Sequence, residues 1–535
     1  MRFEVRAYAR KLARVLSRYP REIAVKPESF AAMSDQSRLR AGSNLLSFQS
    51  VPDKFYFLLF GAICSRLSIL VDLRSELVIV RAVNGAVGVG WIAELKRSAA
   101  VSWLWSSQWV RAYGALVDSI AYRCATCAHP IDDMVDWFKS KHLWRHLQKQ
   151  TQLGGYTLSI GDVEVADLVI SSYLRFKPAP MFDVQNPFVR RLLWQALRDV
   201  RQANAYFGSV KPRWYLTSYT TYLEHGIPAR VALRHGVEVW SFGNLNRFGK
   251  VLALSDSYQT LDYSEFRKLF ESLTRHNDRL EEARQQLETR LTGGIDAATS
   301  YMRQSAYGKS GIELPEGLDG AVVIFLHDFY DSPHVYPDFI FDDFWQWICF
   351  TIEALQKAGV NFFLKPHPNQ IALSDEASVH LRQKYSNLQW LPATASNVQL
   401  ACAGIACGVT VYGTVAHELA YLGVPSICCA RHPHHSFDFC RTARTRDEYE
   451  GMLKAYELMP VPREEMQRQA LAFYYMHNLY GDDDQRALRQ AFVAFWKACN
   501  VGEMTDESVM HSFRALVSLP AFDRFVVALA QNKLE

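Results

Sequence analysis

Hydrophobic and polar positions along this chain follow two rhythms that trade places. From residue 77 to about 260, short runs rich in β-branched and aromatic residues alternate with longer stretches whose apolar positions recur every three or four residues. The runs ELVIVRAV, YTLSIGD, ADLVISSYL, RWYLTS and VEVWSF predict strands. The stretches 100–123, 131–150, 187–207 and 221–235 predict helices. Alternation of this kind builds βαβ units and a mainly parallel sheet. Residues 264–291 are strongly charged but keep a helical stripe through Phe266, Leu269, Phe270, Leu273, Leu280, Ala283, Leu287 and Leu291. They predict one long helix, which Gly293-Gly294 stops.

A second βαβ series begins at AVVIFLHDF (321–329). It continues through a helix at 342–358, the strand VNFFLKP, a helix near 374–384, a short strand around LQWL and the cysteine-rich LACAGIACGVTVYGT. A helix at 415–422 leads to the strand PSICCA, and the chain from about 446 is helix-rich. Two series predict an α/β chain with two Rossmann-like domains, an interdomain cleft and C-terminal helices. The divisions expected are 1–50, a basic amphipathic segment; 51–315, an acceptor-side domain; 316–460, a nucleotide-sugar-binding domain; and 461–535, a helical segment.

Two stretches stand out as most apolar, FYFLLFGAIC (55–64) and LVIVRAVNGAVGVGWIAEL (77–95). The first is too short to span a bilayer, and the second holds Arg81, Asn84, Glu94 and three glycines. They read as a buried strand and a Gly-rich loop. Residues 1–26 carry eight Lys/Arg against two Glu, with Val5, Tyr8, Leu12, Val15 and Leu16 on one helical face. No apolar core of a secretory signal is expected there. Such a helix suits either an anionic membrane surface or its own domain, so the expected location is cytoplasmic, with peripheral contact at the inner face of the cytoplasmic membrane.

Composition narrows the classes further. At 535 residues the chain exceeds one ordinary core, and 49% hydrophobic with 21% charged residues is globular. A formal net charge of +4 is too small for a general nucleic-acid binder. The ten cysteines lack framework spacing; Cys124-Ala-Thr-Cys127-Ala-His129 has the single CxxC, without a partner to complete four zinc ligands. Reduced structural thiols are expected.

Candidate chemistry gathers where strands should end. In NFFLKPHPNQ (361–370), Pro366 and Pro368 stop a strand and leave Lys365 and His367 on a stiff turn. A bland turn competes with a ligand-binding one. In GVTVYGTVAHELAYLGVPSICC (408–429), an apolar strand runs into Gly413-Thr414 and then a helix carrying Glu418 four residues on. Gly413 permits close backbone approach, the Thr414 hydroxyl and free N–H groups suit phosphate, and Glu418 suits ribose hydroxyls. Both elements would face one crevice.

Taken together, HDFYDSPH and FDDFWQW (327–347), KPHP (365–368), YGTVAHELAYLGVP (412–425) and RHPHHSFDF (431–439) resemble the bacterial capsule and surface-polysaccharide biosynthesis glycosyltransferases. Members of that family have the two-domain GT-B fold and include CMP-Kdo-dependent transferases. The resemblance covers roughly residues 320–450, with Tyr412 where many relatives have Ser. It implies phosphate and ribose contacts from Lys365, His367, Gly413, Thr414 and Glu418. It also implies that the leaving phosphate is stabilised by basic side chains and helix dipoles, without a bound cation.

The loop after the first strand of the second series, with His327, Asp331 and His334, is the densest polar cluster. A zinc or manganese reading of these three ranks below a metal-free one, in which His334 helps orient the donor and His327 and Asp331 are catalytic candidates. His327 is equally a buried strand-end histidine. The loop with His432, His434, His435 and Ser436 follows PSICCA, and His435 and Ser436 are assigned to the donor. In the first half, Asp162, Glu164, Asp167, Glu224 and His225 are candidates for the base or nucleophile, Asp167, Glu224 and His225 foremost; Arg175 is the acceptor-binding candidate. The expected activity transfers a sugar, with CMP-Kdo as first donor to consider, to a glycan or lipid-linked glycan acceptor, without a cofactor. The alternatives are a CDP-polyol phosphotransferase of teichoic-acid type, a nucleotide-sugar 2-epimerase, and a non-catalytic scaffold of the same fold.

Overall fold

The computed structural model describes residues 44–49, 54–71, 73–79, 121–124, 130–150, 155–177, 179–242, 249–300, 312–367, 372–501 and 505–531. Expectations for residues 1–43 and for 80–120, including the basic helix and the Gly-rich stretch, lie outside them, as do Cys127 and His129.

The first half opens with strand β1 (Asn44–Gln49), helix α1 (Lys54–Leu70), β2 (Leu73–Ile79) and β3 (Ala121–Cys124). There follow α2 (Pro130–Lys149), the hairpin β4 (Ser159–Ile160) and β5 (Val163–Glu164), α3 (Ala166–Phe176) and α4 (Pro187–Val210). Then come β6 (Trp214–Thr217), α5 (Leu223–Arg234), β7 (Glu238–Ser241) and β8 (Lys250–Val251). The sheet order is β3-β2-β1-β6-β7-β8, parallel except for β8. Helix α4 starts where Asn186 accepts the Phe188 N–H at 3.0 Å and Pro187 takes the first position, and stops at Lys211 in the left-handed region.

Two helices lead out of this unit, α6 (Phe266–Ser272) and α7 (His276–Leu291). The second unit holds β9 (Val322–Phe325), α8 (Phe344–Lys357), β10 (Phe362–Lys365), α9 (Ala372–Lys384), β11 (Gln389–Trp390) and α10 (Asn397–Cys402). It goes on with β12 (Cys407–Val409), α11 (Val415–Tyr421), β13 (Ser426–Cys428), β14 (Cys440–Thr442), α12 (Arg446–Lys454) and α13 (Arg463–Tyr474). This sheet is all parallel, in the order β11-β10-β9-β12-β13-β14, with Phe325 beside Lys365 and Ile324 beside Val409.

Each sheet starts in its middle, runs outward one way, then resumes on the other side of its first strand. That is the doubly wound order, with a topological switch point between β1 and β6 and another between β9 and β12. The expected pair of Rossmann-like domains is what the chain forms. The last helices, α14 (Asp483–Asn500), α15 (Asp506–Val517) and α16 (Pro520–Ala530), return to the first unit. There Phe492, Phe495, Phe513 and Phe522 share one buried cluster with Phe55 and Phe60 of α1 and Trp240 of β7.

Four sequence expectations are corrected. FYFLLFGAIC belongs to helix α1, not a strand, because an unbroken apolar run fits a helix buried on all sides as well as a strand. ADLVISSYL is helix α3 for the same reason: it is buried from Leu168 to Leu174, small Ser171 and Ser172 included. The long helix over 264–291 is two helices, since Arg275 adopts a φ of 56° between them. Of the helix expected at 100–123, the described end belongs to β3 instead.

Candidate functional site

The carbonyl end of a parallel strand leaves its last groups free for a ligand, and at a switch point the two neighbouring loops diverge to make room. In the second unit this place lies between the loop after β9 and the turn after β12. His327 closes the gap beneath it. Its Nε2 accepts the Val411 N–H at 3.3 Å and lies 3.0 Å from the Thr410 hydroxyl. Its ring stacks on Phe344 at 4.9 Å. Burial pushes its pKa down to about 3, so it stays neutral. The strand-end reading of His327 is the one its geometry fits, since its Nε2 is taken up by Thr410 and Val411 of its own unit.

The loop that follows crosses to the first unit. Ser332 donates its hydroxyl to Tyr222 at 2.9 Å, and Tyr222 immediately precedes α5, which follows β6 at the other switch point. The carbonyl ends of both sheets therefore meet at this contact. Next to it Asp331 is exposed, with its Oδ1 accepting the Ser332 N–H at 2.8 Å. Its pKa is raised: the protein walls around it strip water from the charged form, the Ser332 N–H opposes this, Asp328 adds to it and Arg175 opposes it. Arg175, in the last turn of α3, is exposed and influences both Asp331 and Tyr222. An acid, a cation and a phenol from two domains thus share one crevice.

On the third side is the turn after β10. His367 is exposed, and its pKa is lowered by the protein behind it and by Lys365, against the pull of Asp328. Its charge reaches His327 as well. Lys365 is buried within the wall. Its Nζ donates to the Ala393 carbonyl at 3.0 Å, and burial lowers its pKa to about 8 despite nearby Glu418. The expected pair of basic groups on one turn is therefore one exposed imidazole above one buried ammonium.

Gly413 is required where it stands, because a Cβ there would come within 2.7 Å of the Thr410 hydroxyl. Thr414 is half-exposed at the start of α11 and makes no side-chain cap bond. Helix α11 has only seven residues, so the dipole expected to hold phosphate is short. Glu418 is corrected outright. It is fully buried, paired with Arg290 of α7 at 2.8 Å and bonded by Asn397 Nδ2 at 2.7 Å, so it faces the core instead of a ribose.

Several first-half candidates are locked in structural contacts. Asp167 forms a two-pronged ion pair with Arg230 at 2.8 and 2.5 Å. Burial alone would raise its pKa, but the charge and hydrogen bonds of Arg230 turn the net shift downward, which suits a buried anion and not a base. His225 is buried and its pKa falls to about 3; Glu224, half-buried, lies 3.6 Å from it. Asp162 and Glu164 are exposed on the β4–β5 hairpin. His334 lies 3.1 Å from the Asp342 carbonyl and beside the Asp167–Arg230 pair, at the seam between the units. The metal trio His327, Asp331 and His334 does not converge.

The second histidine loop turns inward. His435 Nδ1 bonds the His432 carbonyl at 2.7 Å, and its Nε2 lies 3.8 Å from Asp262. The Ser436 hydroxyl is buried without a partner. His432 and His434 join Cys428 and Cys440 in a buried group whose ligand atoms lie within 4.8 Å of one another. Sequence reasoning passed over Tyr222 and Ser332, whose contact spans 110 residues, and over those two cysteines. The spacing Cys-x3-His-x-His-x5-Cys was the available signal for the latter.

Among the described residues, no helix is long and apolar enough to cross a membrane. No family model matches the chain, and no curated protein matches it. Among solved structures it is similar to a UDP-GlcNAc 2-epimerase of Methanocaldococcus jannaschii at 11% identity, over 79% of this chain and 97% of that one, with a TM-score of 0.25. It is similar to the glycosyltransferase SnogD of Streptomyces nogalater at 10% identity, over 92% and 100%, with a TM-score of 0.19. The wall teichoic acid polymerase TagF matches at 10% identity over 92% and 97%, with a TM-score of 0.20. At these scores the likenesses decide no activity.

Proposed function

We propose that the chain is a glycosyltransferase that holds a nucleotide sugar between its two switch points and passes the sugar to a surface-glycan or lipid-linked acceptor. One observation carries this reading: Asp331 stands exposed where the carbonyl ends of two doubly wound sheets meet, with Arg175 and Tyr222 of the other unit beside it. Two-sheet crevices of this kind suit a nucleotide on one side and an acceptor on the other.

In this reading Asp331 removes the proton from the acceptor hydroxyl, whose oxygen forms the new bond to the anomeric carbon. The bond from that carbon to the donor phosphate breaks, and the phosphate leaves with the electron pair. Its charge is met by His367 and Arg175, with Lys365 adding positive potential from beneath. No cofactor enters. CMP-Kdo is the first donor to try, and the acceptor belongs to capsule or another surface polysaccharide.

Thermal stabilisation of the full chain by CMP, UDP and GDP in parallel is the first test, followed by mass spectrometry of products made with labelled donors. A rise in Tm with one nucleotide and sugar transfer without phosphorus is expected. No rise with any of them overturns the reading in favour of a scaffold. Phosphorus in the product points to a polyol phosphotransferase, and sugar interconversion without acceptor points to an epimerase; either result overturns it.

A further inference from the structure

The loop after β13 contains an arrangement that the crevice does not use. Cys428 ends β13, Cys440 opens β14, and His432 and His434 lie on the loop between them. All four side chains are buried. The sulfurs are 3.3 Å apart, too far for a disulfide, and His434 Nε2 is 4.0 Å from Cys428 Sγ. The two imidazoles are tilted by 31° to one another, with centroids 3.7 Å apart. The Nδ1 atoms of both have no hydrogen-bond partner although neither residue is more than 1% exposed. Apolar rings, Phe439 and Phe473, close the group off.

We infer that Cys428, His432, His434 and Cys440 form a structural zinc site. Two thiolates and two neutral imidazoles around a divalent cation have no net charge, which is the form such a closed interior can hold. Tetrahedral geometry with Zn–S near 2.3 Å and Zn–N near 2.0 Å requires S···S of about 3.8 Å and S···N of about 3.5 Å, each about 0.5 Å from the observed 3.3 and 4.0 Å and reached by small side-chain rotations. His432 supports the assignment independently. Its Nε2 lies 2.6 Å from the Thr442 hydroxyl, which fixes the ring and leaves the buried Nδ1, without a hydrogen-bond partner, as the nitrogen available to ligate. A ligating histidine anchored through its other nitrogen is the usual outer contact of a metal site. Mixed sulfur and nitrogen donors at tetrahedral spacing select zinc over magnesium or calcium.

With four protein ligands no position is left for substrate or water, so the ion does not take part in transfer. It pins a loop between two strands of the second sheet. That loop carries Arg431, His435 and Ser436, and Arg431 in turn holds Asp338 at 2.7 Å. The inference stands whether or not the chain is a transferase.

The test is elemental mass spectrometry of the full chain, purified under reducing conditions without a metal-affinity step. About one zinc per chain is expected. Cys440→Ser and His434→Ala should each lose most of it, while Cys402→Ser, at an exposed thiol outside the group, should keep it. Because a variant could fail to fold, chelator-stripped wild type is also titrated with cobalt(II). Thiolate-to-cobalt charge-transfer bands and the intense visible bands of a tetrahedral site are expected, removed by one equivalent of zinc. Absence of zinc together with absence of these bands overturns the site, as does full zinc content in both cluster variants or a different metal at full occupancy.

Discussion

Two loops leave the same sheet at its carbonyl edge, and both are dense in histidine, yet they have opposite fates. The loop after β9 reaches across to the first unit, touches Tyr222 through Ser332 and leaves Asp331 exposed at the crevice. The loop after β13 folds back on its own sheet and buries His432 and His434 beside two sulfurs. The difference is what each meets next. The first leaves a switch point, where neighbouring connections diverge and another domain stands opposite; the second meets aromatic Phe439 and Phe473 of its own unit. Histidine content by itself therefore separates neither a reaction site from a structural one nor an open loop from a closed one.

The contrast is tested hardest at Asp331. Asp331→Asn should lower transfer by about a thousandfold with little change in Tm, the usual worth of a positioned base. The sign of its pH dependence also follows. The carboxylate works deprotonated and its pKa is raised, so kcat/KM should fall as pH drops through a point above the ordinary value of an aspartate. A rate within threefold of wild type would remove Asp331 from the chemistry.

His434→Ala should do the reverse, sparing the crevice residues while costing stability. Deleting a fully buried ring stacked on Phe439 leaves a cavity worth about 3 kcal/mol, read as a lower denaturation midpoint at unchanged slope. If stability is unmoved, the second loop is not the packed element its burial implies. The smallest effect is expected at the bridge. Tyr222→Phe removes one hydroxyl contact, about 1 kcal/mol, and should raise KM for the donor more than it lowers kcat. A loss as large as that of Asp331→Asn would mean that Tyr222 itself touches the reacting atoms.

Legibility from sequence followed the range of the interactions involved. Helices α4, α5, α8 and α11 and strands β6, β7, β9 and β10 were readable because capping residues, Gly-Val-Pro turns and apolar runs are local. α1 and α3 were not, since a wholly buried run has no polar face to reveal its period. Lys365, His367 and Gly413 were correctly expected near strand ends, but which way each side chain points depends on distant partners. Glu418 is drawn inward by Arg290 and Asn397, and Asp167 by Arg230, 63 residues further along the chain. No local pattern states those pairings. The two cysteines beside His432 and His434 come together only because β13 and β14 are neighbours in the sheet.

The return of α14, α15 and α16 to the first unit sets an order of events for the chain in the cell. Synthesis delivers α1 early, but its aromatic face stays uncovered until residues 483–530 have emerged, after the whole second unit. The half made first is completed last, and a premature stop shortly before these helices would leave a finished second domain tethered to an unfinished one.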